Sequence, residues 1–305
     1  MSHVHQLLLA GSDEDVVASV VPFVLEGRAA GEPTLLSLPS PTAVAVRELV
    51  GTYAGLTVLA TELTGRRPGT DLARFQALVQ ESMAAGTRVR VVNQIPPTLY
   101  RDWYQWRRYE AAVNVVHAHL NAWGLCVYDA RRLSPGMVED LQATHPFTGR
   151  GIDRRTNPQY QEPRAFCDAH FDAPPDPVEQ TQPAVELLDP SPAAARAAVR
   201  DLAGQRAGLT DDNVEALVLA AHEALANAWI HGRPPVVVRA WAPPGRVVVT
   251  VTDTGRGPQD SFLGLLHSPD HQGMWISHQL VDVAHCRHAG GYTTRLTAPA
   301  SRSLP

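Results

Sequence analysis

The stretch His-Glu-Ala-Leu-Ala-Asn-Ala-Trp-Ile-His-Gly at positions 222–232 constrains the fold of this chain more than any other. Glu223, Asn227 and His231 recur at every fourth position, so on a helix they form one polar stripe. The remaining positions are mostly alanine, leucine, isoleucine and tryptophan, which suit burial of the other helix faces. Because an unpaired buried polar group costs about 1–3 kcal/mol, the stripe requires polar partners. A carboxylate, an amide oxygen and an imidazole in one row suit a metal-bound polyphosphate.

Composition limits the classes to which the protein can belong. A chain of 305 residues with 44% hydrophobic residues is long enough for two globular domains. A formal net charge of −5 argues against a direct nucleic-acid partner. No run of about 18 apolar residues is present, so we expect no membrane span. The start, Met-Ser-His-Val-His-Gln, lacks the basic region of a secretory signal, which favours a cytoplasmic protein.

The sequence contains no lysine, so all 26 of its Lys+Arg residues are arginine. A phosphate-binding loop of the G-x-x-x-x-G-K-[ST] type is therefore impossible, as is the strand lysine of a conventional protein kinase. Schiff-base chemistry is excluded for the same reason. Codon usage in a GC-rich genome is a sufficient source of the bias, but the chemical exclusions hold whatever its source.

The three cysteines, Cys126, Cys167 and Cys286, are odd in number and far apart. Without a C-x-x-C spacing they predict reduced thiols rather than a disulfide framework or a zinc site.

Strand and helix signals alternate in the first half of the chain, up to about residue 145. They include a long helix predicted over 101–123, a strand at 125–128, and a helix that begins at Ser134-Pro135. Such alternation predicts a mostly parallel sheet covered by helices. The pattern then gives way to a polar, proline-rich stretch at 150–182. We expect a first domain at 1–167, an extended and poorly packed linker at 168–182, and a second domain at 183–305.

The second domain shows a different order of elements. It begins with a strand at 184–188 and a helix that starts at Ser191-Pro192. A long helix is predicted over 210–230, and the β-rich runs 236–241 and 246–253 flank Ala-Pro-Pro-Gly as an antiparallel hairpin. An irregular stretch at 254–273, a helix at 276–283 and a strand at 290–296 complete the domain. This order predicts an α+β sandwich, a sheet with helices on one face.

Four residues of the second domain have the chemistry that a nucleotide site needs. Asn227 offers a hard amide oxygen, which suits Mg²⁺ that keeps several waters and shares phosphate oxygens. Asp253, at a strand end, can accept a hydrogen bond from the adenine amino group. Gly255 and Gly257 allow the backbone to pass close to a base.

Further residues complete the predicted site. Gly273 precedes a helix whose N-terminal amides can hold phosphates. Thr293 is the predicted second adenine contact, but the sequence does not clearly distinguish it from Thr294 in this role. Glu223 lies one turn from Asn227 and can polarise a hydroxyl group or a water for attack on a phosphate.

These motifs resemble the GHKL ATPase superfamily and its Bergerat fold over residues 182–300. The nearest resemblance is to the anti-sigma-factor serine/threonine kinases of bacteria, whose N-box E-x-x-x-N-x-x-x-H-G matches residues 223–232. The resemblance implies ATP and Mg²⁺ as cofactors. It also implies that Asn227 is the Mg²⁺ ligand, Asp253 the adenine-reading acid and Glu223 the catalytic base.

One motif departs from the family pattern. The family has Gly-x-Gly-Leu where this chain has Gly273-Met274-Trp275-Ile276, so a tryptophan replaces the second glycine. We expect Trp275 to crowd the backbone of the phosphate lid, to weaken ATP binding and to impair phosphotransfer more than binding. Arg256 is the expected cation of the lid. His231 is interpreted as a helix-end residue rather than a catalyst.

The first half resembles the MEDS sensory domain, whose fold is similar to a RecA-type sheet without its phosphate loop. The matching pieces are His5, residues 21–27 and 30–33, Tyr109-Glu110-Ala111-x-x-Asn114, Leu125-Cys126-x-Tyr128-Asp129, His145-Pro146 and Asn157-Pro158-x-Tyr160. The segment Gly11-Ser12-Asp13-Glu14-Asp15 stands where the phosphate loop would be, and its three acidic residues would repel a triphosphate.

The MEDS resemblance implies a sensory role, with a small organic molecule as the expected ligand. The predicted sensory pocket consists of His5, Tyr109, Glu110, Asn114 and Cys126. The alternative is a helix that packs its aromatic residues into the core, with Glu110 paired to an arginine. Cys126 is interpreted as a buried apolar thiol rather than a redox sensor.

Together these features predict a bacterial signalling protein in which a sensory domain controls an ATP-dependent serine/threonine kinase. The resemblance implies a sigma factor or an anti-sigma antagonist as the partner, and a homodimer formed through the ATP domain. One alternative is a binding module without catalysis that only docks such a partner. Another is a sensor histidine kinase, which requires a phosphoacceptor helix. His222-Glu223 is a weak candidate for it, because the ATP site already uses that helix.

Overall fold

The computed structural model describes residues 3–59, 67–83, 86–206, 208–267 and 272–299. The chain divides into two compact units, Met1–Cys167 and Asp168–Pro305. Among the described helices, none combines the length and the apolar character needed to cross a membrane.

The first unit contains a seven-stranded sheet with the order β3-β2-β4-β5-β1-β6-β7. Its strands are β1 (Val4–Ala10), β2 (Thr34–Ser37), β3 (Leu56–Val58), β4 (Val89–Gln94), β5 (Ala122–Asp129), β6 (Phe147–Arg150) and β7 (Asp153–Thr156). All neighbouring strands are parallel except β6 and β7. The helices up to residue 169 are α1 (Asp13–Ala29), α2 (Ser40–Val50), α3 (Pro68–Ser82), α4 (Trp103–Val116), α5 (Pro135–Thr144) and α6 (Pro163–Ala169). This is the mostly parallel α/β sheet that the sequence predicts.

Local sequence signals explain where several of these helices begin. Ser12 caps α1 by accepting the Asp15 N–H at 3.2 Å, and acidic residues occupy the positive end of the helix. Ser134 caps α5 in the same way, with Pro135 in the first turn.

The long helix predicted over 101–123 is wrong after residue 116. The helix α4 ends at Val116, and β5 begins at Ala122. The reason is that β5 lies between β1 and β4 in the middle of the sheet. Pairing with the whole of β1, from Val4 opposite Trp123 to Ala10 opposite Asp129, requires a strand longer than the predicted 125–128.

The second unit is a five-stranded antiparallel sheet with the order β11-β12-β10-β9-β8. Its strands are β8 (Val185–Leu188), β9 (Val237–Trp241), β10 (Arg246–Asp253), β11 (Asp282–His288) and β12 (Gly291–Pro299). The helices α7 (Pro192–Arg206), α8 (Asp211–His231) and α9 (Gln272–Leu280) share one apolar core with the sheet. The predicted α+β sandwich is confirmed.

The helix predicted over 276–283 is shifted. The helix α9 begins at Gln272 and ends at Leu280, and β11 follows at once. Residues 282–288 form a strand because they pair antiparallel with β12, for example His285 with Thr294. Val283 is buried by this pairing, at 1% exposure, so the apolar residue that suggested a helix end belongs to the sheet.

The segment 168–182, predicted as an extended linker, packs closely within the second unit. Phe171 is 1% exposed and stacks on the His285 ring, with the ring centroids 5.4 Å apart. Asp176 forms a bidentate ion pair with Arg246, and Glu179 accepts a hydrogen bond from Arg295 at 2.6 Å. Acidic side chains of this segment thus meet arginines of the sheet, an attraction that composition alone does not reveal.

Candidate functional site

A cavity of about 320 Å³ opens in the second unit between α8 and the sheet. Its walls are largely apolar, with contributions from Ala224, Ala228, Val251, Leu263 and Met274. Its polar lining includes Asn227, Asp253 and Thr294. A mostly apolar cavity of this size with a few converging polar groups is typical of a small-molecule site.

Asp253 is the last residue of β10 and lines this cavity while only 4% exposed. Its Oδ1 accepts the backbone N–H groups of Gly255 at 2.7 Å and Arg233 at 3.2 Å. These two bonds fix the carboxylate and leave Oδ2 for another partner. A buried carboxylate held in this way can accept a hydrogen bond from an amino group of a ligand.

Three glycines allow the chain to pass close to Asp253 and the cavity. A Cβ atom at Gly232 would lie 2.4 Å from the Asp253 carboxyl carbon, and one at Gly255 would lie 2.6 Å from its Oδ1. Gly257 has a φ of +75°, and a Cβ there would lie 2.6 Å from the Tyr292 ring. The predicted close approach at Gly255 and Gly257 therefore has a geometric cause, and Gly232 shares it.

Two residues of the polar stripe on α8 line the cavity, and the third contacts the start of α9. Asn227 and His231 line the cavity. Glu223 lies beyond the cavity lining, where a Cβ on Gly273 would come within 2.0 Å of its Oε2. The Glu223 carboxylate thus contacts the backbone at Gly273, the second residue of α9.

The structure places Thr294, and not the predicted Thr293, at the cavity. Thr293 lies on the opposite face of the sheet, where its Oγ1 is 2.8 Å from Thr252 Oγ1 and 3.0 Å from His288 Nε2. Thr294 lines the cavity instead and is 4% exposed. Because successive strand residues face opposite sides of a sheet, only one of the two can point into the cavity.

Several residues that line the cavity are absent from the predicted site, among them Tyr292 and Gly232. Tyr292, two residues before Thr294, lines the same face. Its hydroxyl group lies 2.6 Å from His285 Nδ1, and it accepts a hydrogen bond from Thr294 Oγ1 at 3.3 Å. Gly232 also lines the cavity. The period-two spacing of Tyr292 and Thr294 was the available signal for the cavity face.

Trp275 does not line the cavity. Its ring is half-buried and lies perpendicular to the His267 ring, with the centroids 5.1 Å apart. Arg256, the expected lid cation, is exposed between Gly255 and Gly257. Residues 268–271, next to the lid motif, lie outside the described residues, so the predicted crowding of the lid backbone by Trp275 stays a prediction.

The predicted sensory residues come together at the centre of the first unit. His5 Nδ1 lies 3.2 Å from Asn114 Oδ1, and His5 Nε2 lies 3.1 Å from Glu110 Oε2. Glu110 also accepts a hydrogen bond from the Tyr128 hydroxyl group. The alternative pairing of Glu110 with an arginine is not seen, because histidines surround this carboxylate within the described residues.

Burial governs the ionisation of this cluster. It lowers the pKa of His5 and raises the pKa values of Cys126 and Tyr109. Tyr109 packs its ring edge-on against Trp106, with the centroids 5.1 Å apart.

Comparison with known families agrees with this geometry. Residues 4–146 match the family model of MEDS, the methanogen/methylotroph, DcmR sensory domain. Residues 187–298 match the histidine kinase-like ATPase domain. Among the curated proteins, none matches the chain. The chain therefore has a MEDS domain at its N-terminus and a GHKL-type ATPase domain after it, as the two resemblances predict.

The residues of the second unit fit the nucleotide that an ATPase domain implies. The cavity volume of about 320 Å³ lies within the range of small-molecule sites, about 300–1,000 Å³. The cradle around Asp253 exists only because Gly232 and Gly255 lack a Cβ. Asn227 supplies an amide oxygen at the cavity wall, a ligand type that a divalent cation accepts.

Proposed function

We propose, from the premise that one chain joins a MEDS domain to a GHKL-type ATPase domain, that this protein is a bacterial signalling regulator. Its C-terminal unit binds Mg²⁺-ATP and transfers the γ-phosphate to a serine or threonine of a protein partner. The N-terminal unit controls this reaction in response to a small organic ligand.

The position of Asp253 is the observation that carries the nucleotide part of the proposal. The carboxylate is buried at the cavity wall and oriented by the backbone amides of Gly255 and Arg233. An oriented acceptor favours adenine, whose amino group donates, over guanine, which presents a carbonyl oxygen at the equivalent position. Thr294 lies on the same cavity wall and supports the same contact.

Two different residues of α8 would serve Mg²⁺ binding and catalysis. Asn227, on the cavity wall, would present its amide oxygen to Mg²⁺. Glu223, one turn earlier and against Gly273, would accept the proton of the attacking hydroxyl group. The N-terminal amides of α9, which begins at Gln272, would face the phosphates.

The partner in this proposal is a sigma factor or an anti-sigma antagonist, in a cytoplasmic setting, with the kinase acting as a homodimer. The support is the N-box at residues 223–232, which resembles that of the anti-sigma-factor kinases. The same resemblance makes serine or threonine, rather than histidine, the acceptor.

The test is transfer of label from γ-labelled ATP to purified sigma factors and antagonist proteins of the source bacterium. We expect acid-stable label on one partner and at least a hundredfold slower transfer with Glu223→Gln, whose ATP affinity should be retained. Acid-labile label on the protein itself would indicate a histidine kinase instead. ATP binding and partner binding without transfer would identify a docking module.

A further inference from the structure

Four side chains that can each supply a metal ligand converge in the first unit. They come from separate parts of the chain: His5 from β1, Glu110 from α4, Cys126 from β5 and His145 from the residue after α5. Their ligand atoms all lie within 4.8 Å of one another. His5, Glu110 and His145 are each no more than 1% exposed.

The hydrogen bonds of His145 define which of its ring nitrogens carries the proton. Its Nδ1 lies 2.8 Å from the carbonyl oxygen of Leu141. A carbonyl oxygen only accepts, so Nδ1 must donate. In the neutral imidazole, Nε2 then has a lone pair and no hydrogen.

His5 is likewise protonated on Nδ1. The Asn114 Nδ2 group donates to the carbonyl oxygen of Thr144 at 2.8 Å, which fixes the orientation of the amide. Asn114 Oδ1 therefore faces His5 Nδ1 at 3.2 Å and accepts its proton. His5 Nε2, like that of His145, presents a lone pair.

Both lone pairs point at a carboxylate. His5 Nε2 lies 3.1 Å from Glu110 Oε2, and His145 Nε2 lies 3.4 Å from the same oxygen. These three atoms are buried, and none of them has a hydrogen-bond partner within the described part of the chain. Two nitrogen lone pairs and an ionised carboxylate oxygen repel one another unless a proton or a metal ion lies among them.

Protons on both imidazoles are a poor solution. The two rings are only 4.0 Å apart between centroids, so two imidazolium charges would repel each other in a buried site. A single proton bridges only two of the three atoms, whereas a single metal ion satisfies all three at once. Ligands about 2.0–2.3 Å from a tetrahedral ion lie roughly 3.3–3.7 Å apart, which is close to the two measured separations.

We propose that this cluster is a binding site for a divalent transition-metal ion of the zinc type. His5 Nε2, His145 Nε2 and Glu110 Oε2 are three of its ligands. The fourth is the Cys126 thiolate, formed when the thiol loses its proton to water as the ion binds. Two nitrogens, one oxygen and one sulfur are a ligand set that Zn²⁺ accepts.

The surroundings of the cluster have the form of a second ligand shell. Asn114 and the Leu141 carbonyl oxygen hold the Nδ1–H groups of the two histidines, and the Tyr128 hydroxyl group holds the other oxygen of Glu110. Such outer partners orient metal ligands and fix the histidine tautomers. The cysteine spacing, which predicts no zinc site, misses this one because its ligands are dispersed from residue 5 to residue 145.

The test uses the full-length protein without a histidine tag. Its metal content is measured by elemental mass spectrometry, and after chelation it is titrated with Co²⁺ and Zn²⁺. We expect one Co²⁺ per chain, tetrahedral visible absorption bands and a thiolate-to-cobalt charge-transfer band in the near ultraviolet. Zn²⁺ should displace the Co²⁺. Cys126→Ser should lose the charge-transfer band while still binding Co²⁺, and His145→Asn should bind at least tenfold more weakly.

Matched controls make the test specific. Cys286→Ser changes a cysteine in the other unit, and His119→Asn changes an exposed histidine. Both should titrate like the unmodified protein. Absence of saturable Co²⁺ and Zn²⁺ binding would overturn the proposal. So would binding that survives in Cys126→Ser and His145→Asn with the spectrum unchanged, because the ion would then lie elsewhere. Circular dichroism of each variant confirms folding, and the near-isosteric Cys126→Ser keeps the test available if His145→Asn unfolds.

Discussion

Asp253 divides its two carboxylate oxygens between the protein and the cavity. Oδ1 accepts two backbone N–H groups and so shapes the loop that follows β10. In the proposed site, Oδ2 selects the base. An asparagine at this position keeps an acceptor oxygen for the loop but replaces Oδ2 with an NH₂ donor, which separates the two roles.

We therefore expect Asp253→Asn to fold normally and to lose ATP affinity at least tenfold, because one hydrogen bond to a charged group is worth about 1.5–3 kcal/mol. Preference for ATP over GTP should fall by a similar factor. Calorimetric titration with both nucleotides measures this.

The matched control is Asp189→Asn. Asp189 also accepts a backbone N–H through Oδ1, from Val236 at 2.7 Å, and its φ of +47° suits asparagine. Its variant should bind ATP like the unmodified protein. If the unmodified protein and Asp253→Asn had equal affinities for each nucleotide, Asp253 would not contact the base.

The second prediction for a single residue concerns the stability of a Gly257 variant. Gly257→Ala should destabilise the second unit by about 2–4 kcal/mol, since its φ is +75° and the new Cβ would lie 2.6 Å from the Tyr292 ring. Gly245→Ala has nearly the same φ, +79°, but no atom near its Cβ within 4 Å, so it should cost about 1 kcal/mol. Urea unfolding compares the two. Equal losses would show that the contact with Tyr292 has no effect.

At this scale the sequence predicts residue types well and strand faces poorly. Asp253, Asn227 and the glycines were recognisable because each needs a particular chemistry at a particular spacing. Thr293 and Thr294 were not separable, because a shift of one residue in a strand exchanges the two faces. Only pairing of β12 with β10, Thr293 opposite Thr252, decides which threonine faces the cavity.

At the scale of elements, the contact between α8 and α9 links the nucleotide cavity to the proposed catalytic carboxylate. Gly273→Ala places a Cβ 2.0 Å from Glu223 Oε2, and the flexible carboxylate must move. We expect phosphotransfer to fall at least tenfold and by more than ATP affinity, because Asn227 and Asp253 stay in place. Initial rates and calorimetry on the same preparation measure the two quantities. A loss of affinity equal to the loss of rate would place Glu223 in binding rather than catalysis.

A helix with a clear capping residue is easier to predict from the sequence than a strand whose partner is distant. The helix α8 was predicted nearly to the residue, because Thr210 accepts the Asn213 N–H and acidic residues follow it. The strands β5 and β11 were partly taken for helices, because their apolar residues fit either structure. Pairing with β1 and β12 settles both, and such partners lie too far along the chain for local patterns to show.

At the scale of the whole molecule, the segment 168–182 belongs to the ATPase-like unit through its acidic residues. Asp176 accepts hydrogen bonds from both terminal nitrogens of Arg246, one of them at 2.8 Å. We expect Asp176→Asn to lower the free energy of unfolding at pH 7 by about 1 kcal/mol, as for a partly exposed bidentate pair.

The pH dependence of this loss follows from the ionisation of Asp176. Its hydrogen bond with Arg246 holds the pKa of Asp176 below the ordinary value of 3.8. The stabilisation is therefore complete above pH 3.8 and is lost as the pH falls through the lower pKa of the folded state. Urea unfolding of both proteins at pH 7 and at about pH 2.5 should show the difference narrowing in acid. A difference that persists unchanged would mean that the charge of Asp176 is not involved.

The order of the two folds was predictable, since alternating strands and helices in one half and a hairpin in the other indicate different sheets. The buried polar cluster of the first unit was predictable only in part. His5, Glu110, Asn114 and Cys126 were identified, but His145 joins them only because α5 ends beside them. Convergence of residues so distant in sequence is a property of the fold.

Calorimetric titration of Mg²⁺-ATP into the full-length protein tests whether α8 carries a nucleotide site. We predict saturable one-to-one binding that is lost in Asn227→Ala and retained in Asn213→Ala, the same substitution earlier on α8, where the side chain donates to the Pro299 carbonyl oxygen. Absence of binding to the folded, unmodified protein, or equal binding by Asn227→Ala, would show that Asn227 is not part of a nucleotide site.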